Sequence, residues 1–328
     1  MQRPPSQACC DASSSVPQIM PQQVRLEASS FCQLRCPSCP TTTGHIHPTV
    51  GSGFLALDNF KDFIDKNPQL KKIELSNYGE VFLNSQLVDI LEYAYRKNVE
   101  ISIGGGANLN HAGRAALEAI VKFRVEILTC SIDGASPGTY RVYRVRGDFN
   151  AVVRNIETIN AFKKQYSSDL PQLVWQFIVF GHNEHEIPAA RAMAAKLGMD
   201  FRTKLMWDSS SPIHDRGYVL KETNHGVTTR EEYEQVFGKK YLAEICYQLW
   251  DFPQINWDGK LLGCCRNFWG DFGGNAFSDG LVVSINGAKI SYAREMLKGR
   301  RAPRADIPCT TCEMYQAMQK SGKFISDR

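Results

Sequence analysis

From Gln23 to Lys204 the chain alternates short β-rich runs with helical stretches, and this restricts its fold more than any other feature. Strands are expected at Val24 to Ala28, Lys72 to Ser76, Val99 to Ile103, Val125 to Ser131, Leu173 to Phe180 and Met199 to Lys204. Helical patterns lie between them, near Asp58 to Lys66, Leu83 to Lys97, His111 to Lys122, Phe149 to Tyr166 and Glu184 to Leu197. Asn110 and Asn183 are placed as N-caps, and Gly198 follows its helix as a C-terminal glycine should. Such alternation predicts a parallel sheet covered by helices, and the pattern alone leaves barrel and open sheet as alternatives. After Lys204 it stops. Met206 to Thr229 is polar, carries Pro212, Gly217 and Gly226, and reads as a linker or a long functional loop. A compact module follows from about Ala243 to Lys320. The expected boundaries are a flexible tail over 1–22, the alternating domain over 23–205, a bridging region over 206–242, the module over 243–320 and a tail over 321–328.

With 43% hydrophobic and 22% charged residues, the composition is that of a folded globular chain and excludes wholesale disorder. A net charge of +4 from 38 basic and 34 acidic residues is too balanced to predict a nucleic-acid or membrane partner. No apolar run approaches the roughly 18 residues of a membrane helix, and Met1 to Met20 lacks the apolar stretch of a signal peptide. A cytoplasmic location is expected.

In such a setting eleven cysteines speak for metal or redox chemistry rather than disulfides, and their odd number excludes complete pairing. Cys32, Cys36 and Cys39 form C-x3-C-x2-C directly after the first strand. Chance would produce that triple about 0.01 times per chain at this cysteine content. A zinc site would need a fourth ligand, for which His45 and His47 are the nearest candidates. An iron–sulfur cluster held by three thiolates suits so tight a loop and would leave one iron open.

The spacing and position of this triple resemble the radical S-adenosylmethionine (SAM) enzymes, whose loop follows the first strand of a partial (β/α)6 barrel. Further motifs carry the resemblance. In Ser76-Asn-Tyr-Gly-Glu-Val-Phe-Leu-Asn84, Gly79 and Glu80 stand where the family contacts the methionine amino group. Ser131-Ile-Asp-Gly134 matches the end of the family's fourth strand, whose serine faces the ribose and methionine. Arg144, with Arg146 as alternative, stands where an arginine pairs with the methionine carboxylate. The resemblance thus implies SAM contacts for Gly79, Glu80, Ser131, Asp133 and Arg144. One departure is Ser38, where many relatives carry an aromatic residue or methionine.

Cys246, Cys264, Cys309 and Cys312 form C-x17-C-x44-C-x2-C, and four such thiolates can close a zinc site or a four-iron cluster. With Gly259 five residues before Cys264, the arrangement resembles the auxiliary-cluster modules called SPASM and twitch domains, and the one-cluster twitch form fits better. The resemblance spans about 23 to 320 and implies an α/β partial (β/α)6 barrel followed by a small cysteine-rich module. It implies two 4Fe-4S clusters, one binding SAM and one serving electron transfer. Cys265 is a buried thiol, an alternative ligand or a hydrogen donor to a substrate radical. Cys130 belongs to the core by strand alternation, and Cys9 and Cys10 lie in the tail. His182 and His185 read as solvated residues at a helix start. Trp207 and Asp208 lie at the barrel mouth, where substrate contact is possible, and the triple glycine 104–106 reads as backbone approaching the cofactor. No residue stands out as a catalytic base.

By resemblance, the activity is SAM cleavage to a 5′-deoxyadenosyl radical, followed by hydrogen abstraction from a ribosomally made peptide. The outcome would be a cross-link, an epimerisation or a backbone rearrangement. A twitch-type dehydrogenase of a small alcohol such as an aminocyclitol is the alternative. No leader-binding segment is visible before the barrel, so a peptide substrate implies a separate recognition protein. Flavodoxin or ferredoxin is the expected electron donor. A non-catalytic, zinc-stabilised binding protein would leave Gly79, Glu80, Ser131 and Arg144 without a role.

Overall fold

The computed structural model describes residues 18–207 and 211–326. Its strands are β1 (Gln23–Leu26), β2 (Lys72–Glu74), β3 (Glu100–Ala107), β4 (Ile127–Ser131), β5 (Gln172–Val179), β6 (Asp200–Leu205), β7 (Gln254–Ile255) and β8 (Leu261–Gly263). They form one sheet in the order β6-β5-β4-β3-β2-β1-β7-β8. All neighbours from β6 to β7 run parallel, and only β8 is antiparallel to its neighbour. The six expected strands are all present, and β6 does not meet β1, as a partial barrel requires.

The helices are α1 (Leu57–Lys66), α2 (Leu87–Arg96), α3 (Arg114–Lys122), α4 (Pro137–Tyr143), α5 (Phe149–Gln165) and α6 (Ile187–Lys196). Beyond β6 come α7 (Arg216–Glu222), α8 (Arg230–Phe237), α9 (Gln248–Asp251), α10 (Leu281–Ile285), α11 (Ala288–Leu297) and α12 (Glu313–Ser321). The region expected as irregular linker thus carries two helices, α7 and α8. The side chains of Asp215 and Thr229 accept the N–H groups of Tyr218 and Glu232 and so cap them. Helix α4 was not anticipated, although Ser136 caps it and Pro137 opens it.

Two of the expected caps are corrected. Gly113, not Asn110, precedes α3; Asn110 instead donates to Tyr140 Oη and accepts from the Asp148 N–H. Asn183 precedes a 3-10 turn, and its buried amide donates to the carbonyls of Asp133 and Ile178, clamping the ends of β4 and β5. Gly198 does sit just past α6 with a left-handed φ of 65°.

Strand alternation sorts the side chains into two faces. Val24, Leu26, Ile73, Cys130, Trp175 and Phe177 join the apolar core under the helices, as expected for Cys130. Residues between them are polar: Arg25, Glu27, Glu74, Ser131, Gln176 and Lys204. That polar inner face is where a site can be built. Among the described residues no helix is long and apolar enough to cross a membrane.

Candidate functional site

The first cysteine loop leaves β1 and is pinned by Leu34. This side chain is buried with Cys36, Tyr143, Ile178, Phe180 and Met206, which fixes the loop between its cysteines. The Cys39 N–H donates to the Cys36 carbonyl at 3.1 Å, turning the chain sharply. Burial and the nearby Glu80 charge push the Cys32 thiol up to about 12. Burial likewise raises Cys36, with Arg144 pulling it back. Two sulfurs receive polar donors: Asn108 Nδ2 lies 3.6 Å from Cys32 Sγ, and Arg144 Nη1 lies 3.8 Å from Cys36 Sγ.

Gly79 is pressed against this loop. A Cβ there would come within 2.2 Å of the Ser29 carbonyl oxygen, so the close approach demands glycine. The Glu80 N–H donates to the Phe31 carbonyl at 2.7 Å, just before Cys32. Glu80 itself is buried, and its carboxylate accepts from the N–H groups of Asn108 and Phe82. Each oxygen thus accepts one of the protein's own N–H groups and keeps a lone pair for a further donor such as an ammonium group. Burial nonetheless raises Glu80 to about 7.

Arg144 reaches the same place from the other side. Its Nε donates to Asp133 Oδ2 at 2.6 Å, with side-chain exposures of 12% and 0%. The other Asp133 oxygen accepts from the Ile178 N–H at 2.7 Å. Sealed from solvent with both oxygens engaged, Asp133 aims Arg144. Arg146 is exposed. Ser131 is buried and accepts from Gln176 Nε2 at 3.4 Å.

The triple glycine does not line an open cradle. The N–H groups of Gly104 and Gly105 point to the buried Glu74 carboxylate, which also accepts from the hydroxyls of Ser76 and Ser102. The close approaches are internal: a Cβ on Gly105 would lie 2.3 Å from the Ser76 carbonyl oxygen. His182 is also corrected. Rather than solvated, it stacks on Phe180 at 5.3 Å, bonds Ser211 Oγ through Nδ1 and leaves Nε2 buried without a partner among the described residues. His185 is exposed, as expected. Trp207 is exposed, and Asp208, Cys9 and Cys10 lie outside the described residues.

The second cysteine group is assembled from distant segments. Cys246 lies in a 3-10 turn (Ala243–Tyr247), Cys264 just past β8, and Cys309 and Cys312 at a 3-10 turn (Pro308–Thr311). Burial dominates the upward shift of Cys246, Cys264 and Cys309, and each also feels the charge of other members of the group. Beside Cys246, Arg266 pairs with Glu313 through Nη2, while its Nε and Nη1 are buried with no partner among the described residues.

Two adjacent residues join the two regions. Asn77 Nδ2 donates to the Cys265 carbonyl at 3.1 Å, and Tyr78 Oη donates to the Asn267 carbonyl at 2.7 Å. The backbone N–H groups of Tyr78 and Gly79 are meanwhile gathered by the buried carboxylate of Glu27 on β1's inner face. Burial pushes Glu27 up to about 8, against those N–H donors. Sequence reasoning missed Glu27, Glu74, Asn77 and Asn108. For the two glutamates a signal existed, an acid at an inward position of a strand that is otherwise apolar on its other face.

The donors around the cysteines fit anionic clusters. No group of three or more His, Cys, Asp or Glu among the described residues could hold a single metal ion. His45 and His47 are exposed and bond Thr43 and Ser52. A cubane distributes its thiolates over separate irons, so its ligands need not converge on one point. The N–H donors at Cys32 and Cys36, and the orphaned Arg266 nitrogens beside Cys246, are what anionic clusters call for.

No protein-family model matches the chain, and no curated protein sequence matches it either. Solved structures do. Streptococcus suis SuiB bound to S-adenosylmethionine superposes with a TM-score of 0.63 at 11% identity, over 91% of this chain and 72% of that one. SuiB bound to precursor peptide SuiA gives 0.59 at 10%, over 91% and 71%. BtrN in complex with AdoMet and 2-DOIA gives 0.52 at 12%, over 90% and 94%. SuiB and BtrN are both radical SAM enzymes.

Proposed function

Given that this chain has the fold of the radical SAM enzymes, we propose that it is one, that it carries two 4Fe-4S clusters, and that it acts on a ribosomally made peptide. The observation that carries the reading is the meeting of Cys32, Cys36, Gly79, Glu80 and Arg144 at one end of the parallel sheet, with the four-cysteine group tied to the same turn through Asn77 and Tyr78.

When bound, SAM and the cluster on Cys32, Cys36 and Cys39 supply a 5′-deoxyadenosyl radical that removes a hydrogen atom from the substrate, and the cluster on Cys246, Cys264, Cys309 and Cys312 supplies an electron acceptor. The chain's own residues hold and shield. Arg144, aimed by Asp133, presents a cation for a carboxylate beside Cys36. Glu27 holds the Gly79 turn so that its backbone is ready for an ammonium group. Leu34, Tyr143, Phe180 and Met206 form an apolar wall that keeps water from the cysteine loop. Arg266, whose charge acts on Cys246, keeps two buried N–H groups unpaired among the described residues.

The peptide reading is supported by the likeness to SuiB with its precursor peptide, and it brings a leader-recognition protein and a flavodoxin or ferredoxin as expected partners. Oxidation of a small alcohol is the second reading, supported by BtrN, of which this chain covers 94%. The test is iron, sulfide and zinc content after anaerobic reconstitution, with 5′-deoxyadenosine formation, for the chain and a Cys32→Ala, Cys36→Ala, Cys39→Ala variant. About eight irons falling to about four, with loss of 5′-deoxyadenosine, is expected. No iron in either protein overturns the reading. A modified peptide co-purifying from the native cells favours the first substrate class, and a sugar-like metabolite alone favours the second.

A further inference from the structure

The inner face of β6 holds cations that the residues described so far do not use. Among the described residues no hydrogen-bond or ion-pair partner reaches Lys204, which faces into the polar side of the sheet. Its strand register pairs it with Ile178, the residue whose N–H holds Asp133. Arg230, at the start of α8, caps the next carbonyl along, that of Leu205, through Nη2 at 3.2 Å. Its guanidinium lies 4.0 Å from the centroid of the Trp207 ring and 4.8 Å from that of Tyr241, and its Nε is buried with no partner among the described residues.

Among the described residues, these charged or titratable groups act on the two cations. Lys204 feels Arg25, Arg230, Cys265 and Asp133. Arg230 feels Arg266, Glu313, Glu231 and Tyr241. Asp133 is already bound to Arg144, and Glu313 to Arg266. Among the described residues Arg25 hydrogen-bonds Gln254 and the Ser76 carbonyl and feels the Glu27 carboxyl. Among the described residues Glu231 also acts on Arg230, but no carboxylate forms an ion pair with Lys204 or Arg230. Burial lowers the proton affinity of both Lys204 and Arg230, which an anion would restore.

We infer that Lys204 and Arg230 form an oxyanion pocket at the C-terminal end of β6, walled by Trp207 and Tyr241, and that the substrate carries a carboxylate or phosphate that docks there. The inference rests on the proposed function for the word substrate, and the cation cluster stands without it. Lys204 feels both Asp133, the partner of Arg144, and Cys265, so an anchored group would hold the substrate near both cysteine regions. An aromatic-stacked Arg presents its N–H edge to a planar oxyanion, and Lys adds a compact charge.

The test measures anisotropy of a labelled decapeptide with two Glu residues, and of its Gln counterpart, binding to the reconstituted protein, with inorganic phosphate as competitor. The Glu peptide should bind about tenfold tighter than the Gln peptide, the worth of one charge-assisted hydrogen bond. Lys204→Met and Arg230→Gln should each abolish the preference. Lys204→Arg should retain it, which guards against a mere folding defect, and Lys196→Met on exposed α6 should leave it intact. Saturable phosphate binding lost in Lys204→Met, without preference between the peptides, supports the pocket and assigns it to a small phosphorylated ligand. Equal peptide affinities with no phosphate binding overturn it. Iron content separates the two readings. Clusters present with equal affinities remove the pocket alone, whereas a preference for the Glu peptide in a protein that takes up no iron removes the enzyme reading alone.

Discussion

The two cysteine regions are built in opposite ways. The first places three cysteines within one turn-rich loop after β1, and its internal bonds are local. The second draws Cys246, Cys264, Cys309 and Cys312 from three separated segments around β8 and α11. Ligands close in sequence need little chain ordering to meet, so the first site can stay partly open and still be well defined. Ligands separated by 17 and 44 residues meet only after the module has folded, and anything that binds all four staples that fold. The difference teaches that the first group is defined locally by the chain, whereas the second exists only once the module has folded.

The sharpest way to break this contrast is to release each staple in the reconstituted protein. Cys309→Ala with Cys312→Ala should cost about 4 kcal/mol in anaerobic denaturant unfolding, against about 2 for Cys36→Ala with Cys39→Ala, since closure entropy grows with loop length. No loss for Cys309→Ala with Cys312→Ala would show that the second group holds nothing. Next in size, Arg144→Ala strands the buried Asp133 carboxylate and should cost about 3 kcal/mol, read by the same unfolding experiment. Arg144→Ala combined with Asp133→Asn should recover much of that loss.

The bridge between the regions is expected to be weaker. Tyr78→Phe leaves the Asn267 carbonyl without its donor and should cost about 2 kcal/mol. Hydrogen exchange in residues 261–267 should quicken, whereas the loop of Cys32 should not change. Smallest is the effect of pH. Glu27 and Glu80 are raised from 4.5 to about 8 and about 7, so the folded chain holds protons there that the unfolded chain has released. Their contribution is complete below the unfolded value and is lost as pH rises through 7 and 8. Raising pH from 7 to 8 should cost about 1 kcal/mol in the iron-free protein, and Glu27→Gln should flatten most of that decline.

Much of the architecture was legible in the chain itself. Strand and helix periodicities marked six parallel strands to within a few residues, since an inward polar and outward apolar alternation leaves little freedom of register. The C-x3-C-x2-C loop, Gly79 and Arg144, local motifs in fixed order along the strands, come together at one end of the sheet. Other features were not legible. Asn110 and Asn183 look like caps, but partners far along the chain claimed their amides. The 206–242 region reads as linker because α7 and α8 are short, and α8 buries no residue.

By itself the sequence determined that this is an α/β chain with two cysteine groups and a loop shaped for three thiolates, because periodicity and spacing are short-range properties. Only the tertiary structure decided which buried charges meet. Glu27 clasps the Tyr78–Gly79 turn, Asp133 aims Arg144, and Lys204 and Arg230 have no ion-pair partner among the described residues. The physical reason is that a buried charge is governed by whatever hydrogen-bond partners folding brings within about 3 Å, and these come from any distance along the chain.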